Sequence, residues 1–377
     1  MKEENRVTIL KVKIEKPGNY GLAYIDGNIS EDKPTVIDWG NGTTTTLTTT
    51  ITDEDELENS TDFYTNYTEP GEYVISIDGW YNDFACYEHY YVEPVATQIC
   101  EVLTDIIQVS SLITDFSYTF LFCSNIKSIP SGLFDNNTNV TSFEGTFCSC
   151  SSLTSIPSGL FDKNSGVTNF YGTFGSCSSL TSIPPGLFDY NIKVTNFDYT
   201  FYYCTSLTSI PSGLFDKNTK VTSFSGTFGG CSSLANIPSG LFDSNASVTD
   251  FRGTFQDCSN LISIPSGLFD NNTNVTSFGS IYGDGAFSGC SGLTSIPSNL
   301  FDNNTKAAYF CGIFRGCSSL TGETPYTLSS DGVTKIKLWD RNGANGFAKP
   351  ETKYLAFYDC TKLDDYADIP SDWKRPI

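Results

Sequence analysis

Residues 205–231, TSLTSIPSGLFDKNTKVTSFSGTFGGC, form one unit of a repeat that runs through the middle of the chain. A Phe-Asp pair marks each unit and recurs five times after 27 residues and then once after 32. Its phenylalanines are Phe134, Phe161, Phe188, Phe215, Phe242, Phe269 and Phe301. A Phe-x-x-Cys motif keeps the same spacing and ends at Cys123, Cys150, Cys177, Cys204, Cys231, Cys258, Cys290 and Cys317. A fixed period of this length is typical of a solenoid, in which each coil buries its apolar side chains against its neighbours.

Each repeat predicts two short strands and two turns. The runs SLTSI (206–210) and KVTSF (220–224) alternate and contain β-branched residues, which favours strands. Pro211 after the first run suits the start of a helical turn, because the missing N–H is not needed there. Stacked coils would then form two parallel sheets around a narrow core. The predicted fold class is mainly β with short helical turns, a leucine-rich-repeat solenoid of about nine coils preceded by a small β-sandwich.

The chain is expected to have three parts. Residues 1–97 do not repeat and read as strands (VTILKVKI, TVIDWG, TTTTLTTTI, EYVISIDGW, HYYVEPV), which predicts the sandwich. Residues 98–320 form the solenoid, and residues 321–377 an irregular last repeat and a C-terminal cap in which Trp373 covers the last layer.

The start of the solenoid is degenerate. In residues 98–123, Phe120 aligns with Phe147 of the following coil, and Ile107 then aligns with Phe134. Pairing of this segment with the N-terminal strands would join the first two parts of the chain.

Charge and hydropathy exclude some partners. The chain has 22 Lys and Arg against 43 Asp and Glu, a net charge of −21, which argues against nucleic acid and anionic membranes, since both attract basic surfaces. It contains no apolar stretch of about 18 residues, so no membrane insertion is expected. The N-terminus lacks the apolar segment of a signal peptide, so either a signal was removed or none was used.

The residue types argue against an enzyme. The single histidine, His89, leaves little for Ser-His-Asp or Cys-His chemistry. No Cys-x-x-Cys pair is present, so no metal site is expected and the repeat cysteines are interpreted as free, buried thiols. The Asp of each Phe-Asp pair is interpreted as a turn cap, and a stacked column of these carboxylates binding calcium is the alternative. No cofactor is expected.

Binding specificity should lie in positions that differ from coil to coil. Three tyrosines fall in one coil, and the stretch SIYGDGAF at 280–287 supplies the five extra residues of the 32-residue coil. Aromatic side chains on stacked coils would form a contact surface for a protein or a sugar, and insertions in solenoids often carry function. The predicted ligand-binding residues are Tyr171, Tyr199, Tyr202, Tyr203, Arg252 and Tyr282. The alternatives are scattered surface aromatics and a tolerated loop.

The repeat resembles a known family. CSSLTSIPSGLF (150–161) and VTSFSGTFGGCSSL (221–234) are similar to the BspA-like leucine-rich repeats of bacterial surface proteins, and the resemblance extends over residues 112–320. This chain departs from the common form at the position before the turn phenylalanine, which is mostly Thr, as at Thr227, instead of Met or Ala. The resemblance implies adhesion to a protein or glycan on a host or bacterial surface, and an extracellular or cell-surface location.

A second resemblance lies in the first part of the chain. Asp38-Trp39-Gly40-Asn41-Gly42 and the later stretch Tyr67 to Ile75, with its Pro-Gly turn, are similar to the PKD-type immunoglobulin-like sandwich. Asn41 stands where that family usually has Asp, which weakens any inference of cation binding. The simpler interpretation is that Trp39 and Tyr73 pack a sandwich core.

Two other functions fit the same features. Without a signal peptide, the protein could be a phage or prophage tail component that reaches the outside by assembly and lysis. It could also be a structural spacer with no ligand of its own, because a solenoid is a scaffold on which binding sites are built.

Overall fold

The structure, a computed structural model, describes residues 5–22, 24–27, 29–48, 64–79, 81–86, 97–280 and 282–375. It is mainly β with almost no helix, as the sequence predicts. Two compact units make up the chain, Met1–Leu180 and Thr181–Ile377. The predicted strand HYYVEPV lies outside the described residues.

The first unit begins with strands. They are β1 (Val7–Ile14), β2 (Gly18–Gly21), β3 (Tyr24–Gly27), β4 (Thr35–Asp38), β5 (Thr44–Leu47), β6 (Tyr64–Tyr67), β7 (Gly71–Asp78), β8 (Tyr81–Ala85), β9 (Thr97–Gln98) and β10 (Leu103–Gln108). An antiparallel sheet has the order β10-β1-β7-β4-β5, while β6-β2-β9 and β3-β8 form smaller sheets. Leu10, Val12 and Ile14 alternate with more exposed residues along β1 and are buried, because successive side chains point to opposite faces. Whether these sheets form a PKD-type sandwich remains a prediction.

A buried tryptophan organises this region. Trp39 is fully buried, and its indole Nε1 donates to Thr45 Oγ1 at 3.0 Å. The hydroxyl of Tyr67, also fully buried, donates to the Trp39 carbonyl at 2.8 Å. Tyr73 is only half-buried, and its ring centroid lies 4.6 Å from that of Tyr67. Tyr73 lies on the same face of β7 as the buried Ile75 and Ile77, so it packs at the edge of this core, whereas Tyr67 lies inside it.

Strand β10 joins the repeats to the first sheet. It pairs antiparallel with β1, as the sequence suggested for this segment. Its buried residues are Leu103 and Ile106, whereas Ile107 is 48% exposed. The expected equivalence of Ile107 with the buried Phe134 is therefore wrong, because a register shift between β1 and β10 leaves Ile107 without a paired residue and exposed to solvent. Regular stacking of the coils is present from Phe116 onward, whose ring lies 5.5 Å from that of Phe143 and parallel to it within 6°.

The coils contain no strands in the described part of 112–320, which corrects the prediction of two parallel sheets. Neighbouring coils are joined by single parallel bridges, such as Ser142 with Asn169 and Ser223 with Asp250. Positive φ angles at Gly145 and Ser149 interrupt the extended backbone every few residues. Inter-coil bonding nevertheless continues through these turns, because alternate amides from 143 to 149 donate to carbonyls of the next coil at 2.7 to 3.1 Å.

Stacked phenylalanines fill both sets of coils. In the second unit, Phe215 and Phe242 lie 6.3 Å apart with rings parallel within 9°, and Phe224 and Phe251 lie 5.9 Å apart. All four are fully buried. Each repeat position thus packs on its own equivalent, which is how a coil without a core of its own becomes stable.

Polar residues form three further columns inside the coils. The buried residues of these columns are the Asn two positions after the Asp of each Phe-Asp pair, the Thr before the turn phenylalanine and the repeat Cys. In the first unit, Asn164 Nδ2, Thr173 Oγ1 and Cys177 Sγ each donate to a phenylalanine carbonyl of the preceding coil, at 3.1, 2.8 and 3.1 Å. All 13 cysteines are free thiols. Each of these carbonyls also accepts a backbone amide of its own coil, so the side chains fill the second acceptor position of the oxygen and bond one coil to the next.

The end of the second unit is irregular. Strands β11 (Tyr326–Leu328) and β12 (Lys335–Lys337) pair antiparallel, and helix α1 spans Ser371–Lys374. The remaining regular elements are 3₁₀ turns at Ile99–Glu101, in the first unit, and Leu338–Asp340. Trp373 is buried, and its ring lies 6.3 Å from that of Phe357, which itself stacks on Phe314.

Candidate functional site: a tyrosine-lined groove

Three tyrosines of one coil form a connected cluster. The rings of Tyr199 and Tyr202 lie 5.2 Å apart at 87°, and those of Tyr202 and Tyr203 lie 4.6 Å apart at 82°. Edge-to-face contacts of this kind are the favoured arrangement of aromatic pairs. Tyr199 and Tyr202 are half-buried and Tyr203 is 44% exposed, so the cluster presents aromatic surface on a fixed frame.

The next coil makes room for these rings. The residues equivalent to the three tyrosines, 27 positions later, are Gly226, Gly229 and Gly230. A Cβ on Gly226 would lie 2.5 Å from the ring of Tyr199, and one on Gly229 or Gly230 would lie 2.9 Å from the corresponding tyrosine ring. Each ring therefore packs flat on a backbone that only glycine can provide.

Two of the tyrosines occupy a backbone conformation that suits glycine. Tyr199 has φ 56° and Tyr203 has φ 55°, while the equivalent Gly226 and Gly230 have φ 62° and 73°. A bulky residue in the left-handed region costs on the order of 1–3 kcal/mol and persists only where the surroundings impose it. The equivalent positions of other coils also have positive φ, as at Tyr118 and Phe122, so this conformation belongs to the repeat. The cluster is a candidate site because three tyrosine rings meet in one coil.

A groove runs beside the cluster over three consecutive coils. It encloses about 430 Å³, including space open to solvent. Its lining is Tyr199 and Tyr202, then Ser225 and Gly226, then Arg252, Gly253 and Gln256, with Ser280 and Asp284 beyond them. Because the middle coil has small residues, the side chains of the outer two coils face the same space.

Arg252 is held by a neighbouring carboxylate. Its Nε and Nη2 both lie 2.7 Å from Asp250 Oδ2, and its side chain is 45% exposed. Burial acts to lower the pKa of Arg252, but the Asp250 carboxylate outweighs this and raises the pKa above its usual value. The guanidinium is thus both charged and fixed in direction at the groove.

Asp198 supports the floor of the groove from below. It accepts hydrogen bonds from Ser223 Oγ at 2.6 Å and from the Ser225 amide at 2.8 Å. Burial raises the pKa of Asp198 despite these bonds. Since both donors belong to the middle coil, this carboxylate ties the floor to the tyrosine coil.

The insertion at 280–287 supplies the far end of the groove. The Asp284 carbonyl accepts a hydrogen bond from Gly253 N at 3.1 Å, and Ser280 Oγ donates to Asp284 Oδ2 at 3.3 Å. Ser280 is buried. The extra residues therefore build against the Arg252 coil and present Ser280 and Asp284 to the groove.

The six residues predicted for binding have different positions. Tyr199, Tyr202 and Arg252 line the groove, and Tyr203 completes the cluster beside it. Tyr282 is 79% exposed and is not among the lining residues. Tyr171 belongs to the first unit, where it is 37% exposed and its carbonyl accepts from Gly145 N at 2.8 Å.

Other lining residues were not singled out from the sequence. Gln256 and Ser225 are at positions that vary between coils, and Ser280 and Asp284 lie in the insertion. The space beside the tyrosines could have been predicted from the sequence, because the three tyrosines are followed by three glycines at the repeat spacing.

Metal binding finds no ready cluster in the part of the chain that the structure describes. No group of three or more His, Cys, Asp or Glu is placed to hold an ion there. The Asp column considered for calcium lies on its own turns: Asp243 Oδ2 is 3.0 Å from the position that a Cβ on Gly240 would occupy. This placement agrees with a role in the turn.

The thiols are unsuited to nucleophilic chemistry. Burial raises the pKa of Cys231 and of Cys258 well above the usual value, whereas a reactive cysteine needs a lowered pKa. His89 lies outside the described residues. Among those residues no helix is long and apolar enough to span a bilayer.

Comparison with known proteins finds similarity only to solved structures. No protein-family model matches the chain, and no curated protein matches it. A leucine rich cell surface protein from Faecalibacterium prausnitzii A2-165 is 20% identical, with 68% of this chain and 77% of that chain covered and a TM-score of 0.25. The T. pallidum leucine rich repeat protein is 19% identical, with 58% and 75% covered and a TM-score of 0.23. TLR13, in its complex with ssRNA13, is 11% identical, with 61% and 44% covered and a TM-score of 0.23. The chain is thus similar to leucine-rich-repeat proteins, and at these TM-scores its function must be argued from its own groove.

Proposed function

We propose that this chain is a non-enzymatic binding protein of the adhesion type, which uses the tyrosine-lined groove to contact a protein or glycan on a host or bacterial surface. One observation carries the proposal: the groove is built from residues that differ between coils. The residues that recur from coil to coil, such as Phe224 and Cys231, are buried and hold the coils together. A scaffold of this kind leaves specificity to its variable positions.

The cost of building the groove also supports binding. Two tyrosines have the left-handed backbone conformation in which the next coil has glycine, and this reduces stability at this place. A structural spacer gains nothing from such a feature, whereas a binding surface gains rigid aromatic area at low entropic cost. The proposal includes the assignment of the repeats to the BspA-like type and of the first domain to the PKD-like type. In it, the first domain supports the repeats that bind.

A location outside the cell is compatible with the free thiols. Exposed cysteines would pair or oxidise in an oxidising compartment, but the repeat cysteines are buried and burial raises their pKa. Oxidants act on accessible thiolates. The column can therefore remain reduced without a reducing environment.

Binding to arrays of matrix proteins and glycans tests the proposal. The informative variant is Tyr199→Gly/Tyr202→Gly/Tyr203→Gly, which converts YTFYYC into GTFGGC, the sequence that residues 226–231 already have. Because the neighbouring coil folds with this sequence, the variant should fold. We expect it to lose binding that the wild type shows, while Tyr190→Ala, at a tyrosine 59% exposed in the same unit, keeps it. Equal binding by both variants would place the binding site outside the groove, and no wild-type binding to any surface would favour the spacer.

A further inference from the structure

We propose that the occupant of the groove is a neutral saccharide, with a sugar ring against the tyrosine cluster and its hydroxyls on the wall formed by Arg252, Gln256 and Asp284. This inference rests on the proposed binding function and names the ligand class within it.

The tyrosine wall is suited to the apolar face of a sugar ring. Tyr202 is clamped between Tyr199 and Tyr203 by edge-to-face contacts, and Gly229 of the next coil lies directly beneath it. A ring that is fixed before binding loses little conformational freedom when a ligand stacks on it. Tyrosine adds a hydroxyl at the rim of an apolar surface, which matches the mixed character of a pyranose.

The opposite wall presents planar polar groups. A guanidinium, an amide and a carboxylate line it, from Arg252, Gln256 and Asp284. Together they offer both donors and acceptors in pairs, which is what two adjacent ring hydroxyls require, since each hydroxyl donates once and accepts twice. An apolar ligand would leave these groups without water or partner and bind poorly.

Charge favours a neutral ligand. The positive charge of Arg252 is already matched by Asp250 at 2.7 Å, and the carboxylate of Asp284 also faces the groove. The whole chain has a net charge of −21. An acidic sugar or a nucleic acid would therefore be repelled and would find no unpaired cation in the groove.

A peptide partner fits the groove less well. Protein interfaces depend on apolar anchors that fill desolvated pockets. The lining here has no aliphatic side chain, and its apolar surface comes from the faces of Tyr199 and Tyr202. The shape and chemistry thus point to a polyhydroxylated ligand.

A glycan array tests this inference on the full chain. The array carries neutral oligosaccharides, the same oligosaccharides with sialic acid or sulfate, single-stranded RNA, and deglycosylated matrix proteins. We expect the wild type to bind a subset of the neutral oligosaccharides and to bind their acidic forms more weakly. Titration calorimetry with the best neutral oligosaccharide should show Kd raised by about tenfold or more for Tyr202→Gly and for Asp284→Ala. Tyr190→Ala should leave Kd unchanged.

The outcomes separate this inference from the broader proposal. Binding only to deglycosylated proteins would overturn the saccharide ligand and keep a binding function. Preference for acidic sugars or RNA would overturn the charge argument and with it the inference. Binding to nothing on the array would contradict both. Saccharide binding that survives Tyr202→Gly and Asp284→Ala would place the site elsewhere and so refute this groove.

Discussion

At the scale of the residue, the buried asparagines bond each coil to the preceding one. Asn272 is fully buried, and its Nδ2 donates to the carbonyls of Phe242 and Asn245, both at 3.0 Å. One side chain thus bonds two buried carbonyls of the preceding coil to the next coil. The sequence shows these asparagines only as part of turns in which the Asp is interpreted as the cap. The distinction between the two asparagines of Asn271-Asn272 appears only when the coils are stacked.

We predict that Asn272→Ala lowers the free energy of unfolding by about 1–3 kcal/mol, because it removes two buried hydrogen bonds between neighbouring coils. The neighbouring Asn271 is exposed, and Asn271→Ala should change it by less than about 0.5 kcal/mol. Chemical denaturation followed by circular dichroism measures both. Similar losses in the two variants would show that the buried column is not a source of stability.

At the scale of the element, the C-terminal cap ends the asparagine column with a different residue. Arg341 is 3% exposed, and its guanidinium donates to the carbonyls of Phe301 at 2.8 Å and Asn304 at 3.3 Å. These acceptors correspond to those that Asn304 itself bonds in the preceding coil, Phe269 and Asn272. Arg341 therefore does for the last coil what the next asparagine would have done. Burial lowers the pKa of Arg341 to about 10, so it stays charged at neutral pH.

Removing the Arg341 side chain should destabilise the last coil of the repeat. Arg341→Ala is expected to cost about 3 kcal/mol in the free energy of unfolding, since hydrogen bonds from a charged group are among the stronger ones. Arg341→Lys should recover part of the loss, because one ammonium can reach one carbonyl. Urea denaturation compares them with Arg375→Ala, at an exposed position. A fully stable Arg341→Ala variant would contradict the capping role.

A second feature of the cap responds to pH. Lys337 Nζ lies 2.6 Å from Asp365 Oδ2, and both side chains are 13% exposed. Burial acts to raise the pKa of Asp365, but hydrogen bonds from Lys337 and Thr324 outweigh it and hold the pKa below its usual value. A carboxylate with a lowered folded-state pKa stabilises the fold above its unfolded pKa of about 3.9, and this stability is lost as the pH falls through the folded value.

We therefore expect Asp365→Asn to lower stability at pH 7 by about 1–2 kcal/mol and to approach the wild type as the pH drops below about 4. Thermal melting across a pH series gives both quantities. Asp364→Asn, at the adjacent exposed residue, serves as the control and should follow the wild type throughout. A constant difference between Asp365→Asn and the wild type over the whole pH range would rule out the proposed ion pair as its cause.

At the scale of the whole molecule, net charge should govern the response to salt. With 43 acidic and 22 basic residues, like charges repel one another in the folded chain, and repulsion of this kind destabilises a compact state. Salt screens charges separated by more than about 10 Å at 0.1 M. Exposed ion pairs lose stability in salt too, but each contributes little.

We predict that the melting temperature rises by about 2 °C or more between about 0.05 M and 0.5 M NaCl at pH 7. Differential scanning calorimetry measures the shift, and sodium sulfate at matched ionic strength separates screening from surface exclusion. A falling melting temperature would mean that surface ion pairs outweigh the repulsion.

Much of the repeat was predictable because residues one period apart lie in contact in neighbouring coils. A spacing of 27 residues identifies which side chains stack, and the columns of Phe224 and Cys231 equivalents are buried as expected. The prediction of extended strands was wrong because the predicted runs of neighbouring coils share only isolated bridges, such as Ser142 with Asn169, and positive φ at Gly145 turns the chain directly after the run. Trp373 was correctly placed in the buried C-terminal layer.

What the sequence determined by itself is the set of columns: a repeat of constant length brings equivalent residues together whatever else the chain does. What only the tertiary structure decided is the groove. Tyr202 and Gln256 are two coils apart, and they line one space because Gly229 between them has no side chain. The insertion reaches the same space through the bond from Gly253 to Asp284. Whether side chains two coils apart share one space depends on the volume of the side chains between them. That volume is a matter of packing, and the period of the repeat does not determine it.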